Sequence, residues 1–217
     1  GIFSQFFSLS EDVKKQYYDS SLGGSRGYTP YKIETPKGGA SPDMKEFWHV
    51  GRELSPDHSY QQWMPSNYVV EEIPNFQEKT KELYDQFDKL GKSILTSIAL
   101  YLDLEETYFD GVVNEGNSLM RSIHYPAVAS SEKGERAGAH EDINLITLLI
   151  GGHQSGLELL SKNGNWEKIS LDDNARFRHQ EISDIYDVSQ ARIQALCTRG
   201  LKKLKESDDI RGYRDAI

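Results

Sequence analysis

His140-Glu141-Asp142 places an imidazole and a carboxylate two residues apart, and this is the spacing in the chain best suited to holding a cation. On an extended strand, residues i and i+2 point to the same face, so both side chains can reach one metal ion. With a second histidine they would complete a 2-His-1-carboxylate triad, which leaves coordination positions open on Fe(II) for a cosubstrate and O₂. Taken alone, the three letters read more simply as solvated polar sequence. Only His153 and His179 follow Asp142. His153, in the loop Gly151-Gly152-His153-Gln154-Ser155, is too close along the chain to act as a distal ligand, and His179 falls in a helical tail.

A second group of residues with chemical potential lies near the C-terminus. Val188–Lys205 carries Arg192, Arg199, Lys202, Lys203 and Lys205 with no acidic residue among them. The formal net charge is −9, and all of it belongs to residues 1–169, because nine acidic and nine basic residues cancel in 170–217. Such a balance argues against a protein that coats nucleic acid with its whole surface, and the local basic run suggests two pieces of different origin. Hydrophobic residues at 37% and aromatics at 11% are enough for a packed core. The single cysteine, Cys197, excludes an internal disulfide and fits a cytoplasmic setting. Among Ile193, Leu196 and Leu201 it reads as a buried structural thiol. No apolar run reaches membrane-spanning length, and no signal-peptide pattern opens the chain. The chain begins inside a helix-forming segment, so the natural start is expected to lie further upstream.

The elements that would carry these residues follow from periodicity and punctuation. Ser10 caps a helix through Tyr18, with Glu11 and Asp12 in its first turn. Glycines and prolines between Gly23 and Gly39 mark an irregular stretch. Phe76, Leu83, Phe87, Leu90, Ile94, Leu95 and Ile98 recur at helical steps and predict one amphipathic helix from Asn75 to about Leu102. Met120–Pro126 reads as a strand stopped by proline, and the apolar run Asn144–Ile150 as a strand buried on both faces. Leu157–Leu160 and Trp166–Ile169 flank Lys162-Asn163-Gly164-Asn165, a hairpin signal. Beyond Ile169 only helix and turn patterns remain. Gln180–Tyr186 is a short helix, Asp187-Val188 a turn, and Ser189 the cap of a helix to about Lys205, which together read as a helix-turn-helix.

Several strings, taken together, are more specific than any of these signals. They are Ser25-Arg26-Gly27-Tyr28, Asp43-Met44-Lys45-Glu46-Phe47-Trp48-His49-Val50-Gly51, Arg121-Ser122-Ile123-His124-Tyr125-Pro126, Ala139-His140-Glu141-Asp142 through Leu149, Gly156–Leu160 and Gly164-Asn165-Trp166. With them, residues 1–169 resemble the isopenicillin N synthase-like Fe(II)/2-oxoglutarate dioxygenases. The resemblance implies an α+β fold: a helical N-terminal region over about 1–115 and part of a double-stranded β-helix, or jelly roll, over about 116–169. It implies Fe(II) and 2-oxoglutarate as cofactors and a small-molecule substrate. His140 and Asp142 match the family's first two metal ligands, and Tyr125 a position that offers a hydroxyl to the cosubstrate carboxylate. As an alternative, Tyr125 is a strand aromatic packed before a turn. Ile123 stands where the family often has asparagine. The family's second histidine would fall near Cys197, where there is none, and its downstream Arg-x-Ser anchor is absent. No catalytic residue is assigned, and the chain as it stands is expected not to turn over substrate.

The tail, about 171–206, resembles region 4 of bacterial sigma-70 factors, a promoter-reading helix-turn-helix. That resemblance implies duplex DNA as a partner, with Ser189, Gln190, Arg192 and Gln194 as base or backbone contacts and Arg199, Lys202 and Lys203 as phosphate contacts. The expected organisation is therefore an incomplete dioxygenase-like domain at 1–169 and an all-α tail at 170–217. Its leading function is oxidoreduction of a small molecule, and the alternatives are a DNA-binding regulator or a non-functional fusion.

Overall fold

The computed structural model describes residues 1–36, 39, 41–129, 134–150 and 156–169. By its contacts the chain divides into two compact units, residues 1–88 with 112–144, and residues 89–111 with those from 145 onward.

The first unit opens with two short helices, α1 (Ile2–Phe7) and α2 (Glu11–Lys15). Ser10 caps α2 as the sequence predicts, with an extended backbone and its hydroxyl accepting from the Val13 amide at 3.4 Å. Three antiparallel strands follow in the spatial order β1 (Gly27–Thr29), β2 (Glu46–Gly51) and β3 (Leu119–His124). Tyr28 faces Trp48 across the first pair, and His49 faces Arg121 across the second.

All six residues of β2 are buried, because this central strand is covered on both faces. Alternation sorts them. Trp48 and Val50 enter an aromatic core with Phe6, Tyr17, Tyr28 and Phe76. Phe6 sits at its centre, with ring centroids 4.5 Å from Trp48, 5.6 Å from Tyr28 and 5.8 Å from Phe76. Most of these contacts are edge-to-face, the arrangement that the ring quadrupole favours. Phe47 and His49 point to the opposite face, toward Arg121.

The long helix α3 spans Phe76–Tyr101, within a residue of the predicted limits. Over its first turns, however, the buried line is Phe76, Thr80 and Tyr84, and the predicted Leu83 and Phe87 are only half-buried. Polar groups can lie on this line because they are satisfied. The Thr80 hydroxyl donates to the Phe76 carbonyl at 2.9 Å, and the Tyr84 hydroxyl donates to the Ser118 carbonyl at 3.1 Å.

Arg26 is fully buried and ties three segments together. Its guanidinium donates to the carbonyls of Ser25 (2.7 Å), Pro65 (2.8 Å) and Arg52 (3.3 Å). Gly51 makes room for it, since a β-carbon there would overlap the guanidinium. Gly51→Ala is therefore expected to cost about 1–3 kcal/mol by overpacking. Urea unfolding of the full chain checks this, and an unchanged midpoint would refute the packing.

In the second unit, α4 (Asp110–Val113) begins at the unit's edge, and β4 (Leu157–Leu160) pairs antiparallel with β5 (Trp166–Ile169). The hairpin is as expected. Its connection is longer than a two-residue turn: Leu160 pairs with Trp166, and Gly164 supplies a left-handed backbone at φ 80°.

One expectation needs correction. Asn144–Ile150 forms no strand, and Leu145, Leu149 and Ile150 are 53%, 55% and 60% exposed. A strand buried on both faces needs hydrogen-bonding neighbours and covering layers. Among the described residues no segment pairs with this one. The predicted helix-turn-helix, and with it Cys197 and His179, lies outside the described residues.

Candidate metal and cosubstrate site

Buried polar side chains of the first unit form a group on each face of the sheet, and the sequence pattern explains how. In the string from Asp43 to Gly51, the charged residues Asp43, Lys45 and Glu46 come first and Phe47, Trp48, His49 and Val50 follow. The strand period then sends Lys45 to the side of Phe47 and His49, and Glu46 to the side of Trp48.

On the Trp48 side, Glu46 is buried and fully engaged. Its carboxylate accepts from Lys14 at 2.7 Å, from His124 Nδ1 at 2.7 Å and from the Tyr28 hydroxyl. Burial alone would raise its pKa, but the bonds from Lys14, Tyr28 and His124 outweigh that and leave it below the usual carboxylate range. The His124 ring stacks on Phe7 at 5.0 Å.

On the other side, Lys45 is buried and held by two carboxylates, Glu34 at 2.6 Å and Asp43 at 2.8 Å. Desolvation would lower its pKa, yet these two bonds raise it above the ordinary lysine value. Glu34, which burial would push up, is held down by Lys45 and Arg121. Arg121 lies 4.3 Å over the Phe47 ring and approaches Glu34 at 3.2 Å. Its Nε donates to His49 Nε2 at 2.6 Å, while His49 Nδ1 donates to the Gly24 carbonyl. The imidazole between these partners is neutral: burial, then the Arg121 charge, pushes its pKa down to about 4.

His140 and Asp142 lie on the loop whose Glu135 and Gly138 are hydrogen-bonded to Met44 and Asp43, ahead of β2. His140 Nε2 and Asp142 Oδ1 are 3.6 Å apart, and both side chains are about half exposed. The pair converges as predicted, but on a loop, because residues 140–142 form no strand. His140 Nδ1 donates to the Gly138 carbonyl at 2.8 Å, which leaves Nε2 with its lone pair available. Tyr125 follows β3, 37% exposed, with the guanidinium of Arg136 from the same loop 5.9 Å from its ring centroid. Burial raises its pKa above the ordinary phenol value. Ile123 is paired with Phe47 and is 39% exposed.

These donors fit one half of a metal site. A borderline nitrogen and a hard carboxylate oxygen, close enough to share an ion, are the ligand types of non-haem iron. Among the described residues no group of three or more His, Cys, Asp or Glu side chains could hold a metal. His153 and His179 lie outside the described residues, as do the tail positions Ser189, Gln190, Arg192, Gln194, Arg199, Lys202 and Lys203. The Asp43–Lys45–Glu34 cluster and its link to Arg121 were not read from the sequence. Their only signal was the pair of charges Asp43 and Lys45 just ahead of the apolar stretch of β2.

The family model described as the non-haem dioxygenase in morphine synthesis N-terminal matches residues 2–72. A 2-oxoglutarate-Fe(II) type oxidoreductase of Emericella nidulans is 32% identical over 177 residues, which is 75% of this chain and 50% of the relative. One from Aspergillus fumigatus is 28% identical over 209 residues, 90% of this chain and 58% of the relative. The chain thus spans about half the length of the curated relatives it matches.

Among solved structures, a 2OG-Fe(II) oxygenase family protein from Caulobacter crescentus is 44% identical with a TM-score of 0.68, covering 77% of this chain and 54% of its own. A full-length Neurospora crassa protein in complex with alpha-KG is 29% identical with a TM-score of 0.66, covering 79% and 54%. The first of these is named for 2OG and Fe(II) and the second was solved with alpha-KG, the cofactors expected from the sequence. Coverage of 90% by the Aspergillus relative carries its alignment past residue 169, and the sigma-like reading of the tail gains no support from these matches. Among the described residues no helix is long and apolar enough to cross a membrane.

Proposed function

We propose, from the premise that this chain belongs with the 2-oxoglutarate–Fe(II) oxygenases, that it forms the N-terminal part and first metal-binding half of an oxidoreductase acting on a small molecule. The observation that carries the reading is the His140–Asp142 pair, with its 3.6 Å separation and an Nε2 freed by the bond from Nδ1 to Gly138. His140 and Asp142 would be two protein ligands of Fe(II), and Tyr125 would offer its hydroxyl to the 2-oxoglutarate carboxylate. When bound, iron and 2-oxoglutarate supply the oxidising chemistry of the family. The residues of this chain hold and orient them. Among the described residues only these two ligands are brought together, and the sequence given holds no Arg-x-Ser pair to grip the far carboxylate, so weak iron binding and no turnover are expected of this chain by itself.

The test is binding of Mn(II), an oxygen-stable stand-in for Fe(II), followed by the loss of the free-ion EPR signal on titration with the full chain. His140→Ala is expected to weaken binding by about tenfold or more, since it removes one of two protein donors. Equal binding by the wild type and this variant would overturn the assignment.

A further inference from the structure

The loop that carries His140 is fastened to the residues leading into β2 by two hydrogen bonds, one of them to a buried carboxylate. Asp43 is 3% exposed and uses both of its oxygens. Oδ2 takes the Lys45 ammonium at 2.8 Å, and Oδ1 accepts the Gly138 amide at 2.8 Å, across ninety-five residues of sequence. Next to it, the Met44 amide donates to the Glu135 carbonyl at 2.8 Å, and the Asp43 amide donates to the Glu34 carbonyl at 2.9 Å. Gly138 is thus gripped through its N–H by Asp43, while its own carbonyl accepts His140 Nδ1–H at 2.8 Å. Lys45, pinned between Asp43 and Glu34, leaves Asp43 little freedom to turn away.

We propose that Asp43, locked in place by Lys45, is a positioning residue that holds Gly138 so that its carbonyl fixes the His140 tautomer and aims Nε2 at the metal. A neutral imidazole without a fixed partner on Nδ1 exchanges between two tautomers, and only the one protonated at Nδ1 presents Nε2 as a ligand. The Gly138 carbonyl selects that tautomer, and Asp43 decides where the carbonyl stands. Gly138 has no room for a side chain: a β-carbon there would lie 2.8 Å from Pro36 Cγ and 3.4 Å from Asp43 Oδ1. The metal-facing part of this proposal rests on the reading of His140 as a ligand. The tautomer part does not.

The experiment uses the full chain labelled with ¹⁵N-histidine and free of metal, with long-range ¹H–¹⁵N spectra at neutral pH and His140→Gln to assign the His140 ring. The wild type is expected to show His140 protonated at Nδ1 and bare at Nε2. In Asp43→Ala the two nitrogens are expected to move toward averaged shifts, and Asp43→Asn, which keeps an acceptor for Gly138, should restore most of the wild-type pattern. Gly138→Ala disturbs the same bond from the loop side and serves if Asp43→Ala does not fold. An unchanged His140 tautomer in folded Asp43→Ala or Gly138→Ala overturns the proposal. Titration with Co(II) alone separates the two readings. Asp43→Ala should bind about tenfold or more weakly, with no further loss when combined with His140→Ala. If His140→Ala binds Co(II) like the wild type, the metal assignment falls. If His140→Ala loses the ion and Asp43→Ala does not, the positioning role falls.

Discussion

Trp48→Ala is expected to destabilise the first unit by about 3–5 kcal/mol, the range found when a large buried aromatic is truncated. Trp48 is 1% exposed, and its ring meets Phe6 at 4.5 Å, Phe76 at 5.1 Å and Tyr17 at 5.8 Å. These rings come from α1, from the segment after α2 and from the start of α3. Removing the indole therefore leaves a cavity that cannot close without moving three separate elements. For a domain with about 5–15 kcal/mol of total stability, that loss is a large fraction. Trp63 is the internal control: it is 64% exposed, and its replacement by alanine should stay within about 0.5 kcal/mol. Urea unfolding followed by far-ultraviolet circular dichroism measures both. A cost below about 1 kcal/mol for Trp48→Ala would mean that the aromatic cluster is not the core of this unit.

The same cluster shows which parts of the fold were legible in the sequence. Ser10 as a cap, α3 as a 3.6-period helix and the hairpin around Gly164 were all readable, because each is decided by residues within one or two turns of chain. His140 and Asp142 were different: their three-letter spacing alone reads as solvated polar sequence, and only the resemblance carried by the surrounding strings singled them out. The neighbours that give the pair its geometry were not readable. Gly138 meets Asp43 ninety-five residues away, Arg121 meets His49 seventy-two away, and Arg121 meets Glu34 eighty-seven away. Periodicity can place Lys45 and His49 on one face of β2, but it cannot say which distant side chains come to meet them. Nor could it distinguish Tyr84 from Leu83 as the buried member of α3, since that depends on the Ser118 carbonyl, thirty-four residues on. The error at Asn144–Ile150 has the opposite cause. Local apolarity predicted a strand, and strand formation depends on partners that the local pattern does not contain.

Lowering the pH from about 6.5 to 4 is expected to cost roughly 3 kcal/mol of stability through His49 alone, at about 1.4 kcal/mol per pH unit. His49 is 4% exposed, and both of its ring nitrogens are committed. Protonation would put a new N–H on Nε2, against the Arg121 Nε that now donates to it at 2.6 Å, and would place two positive charges side by side. The folded chain therefore binds this proton only near pH 4, whereas the unfolded chain binds it near pH 6.5. Between those limits the unfolded state holds more protons, so stability rises with pH. The contribution is fully present above about 6.5 and is lost as pH falls toward 4. Glu34 and Glu46 act lower down. Their folded pKa values lie below the ordinary 4.5, so the stability they supply is present above that value and is lost only as pH falls further. The two windows can thus be separated. In His49→Asn, which cannot take up the proton, urea midpoints measured from pH 7.5 down to about 3 should lose their slope above about pH 4.5, while the drop below that value remains. A slope that persists in His49→Asn would assign the acid sensitivity to other groups and would remove the Arg121–His49 contact as its cause.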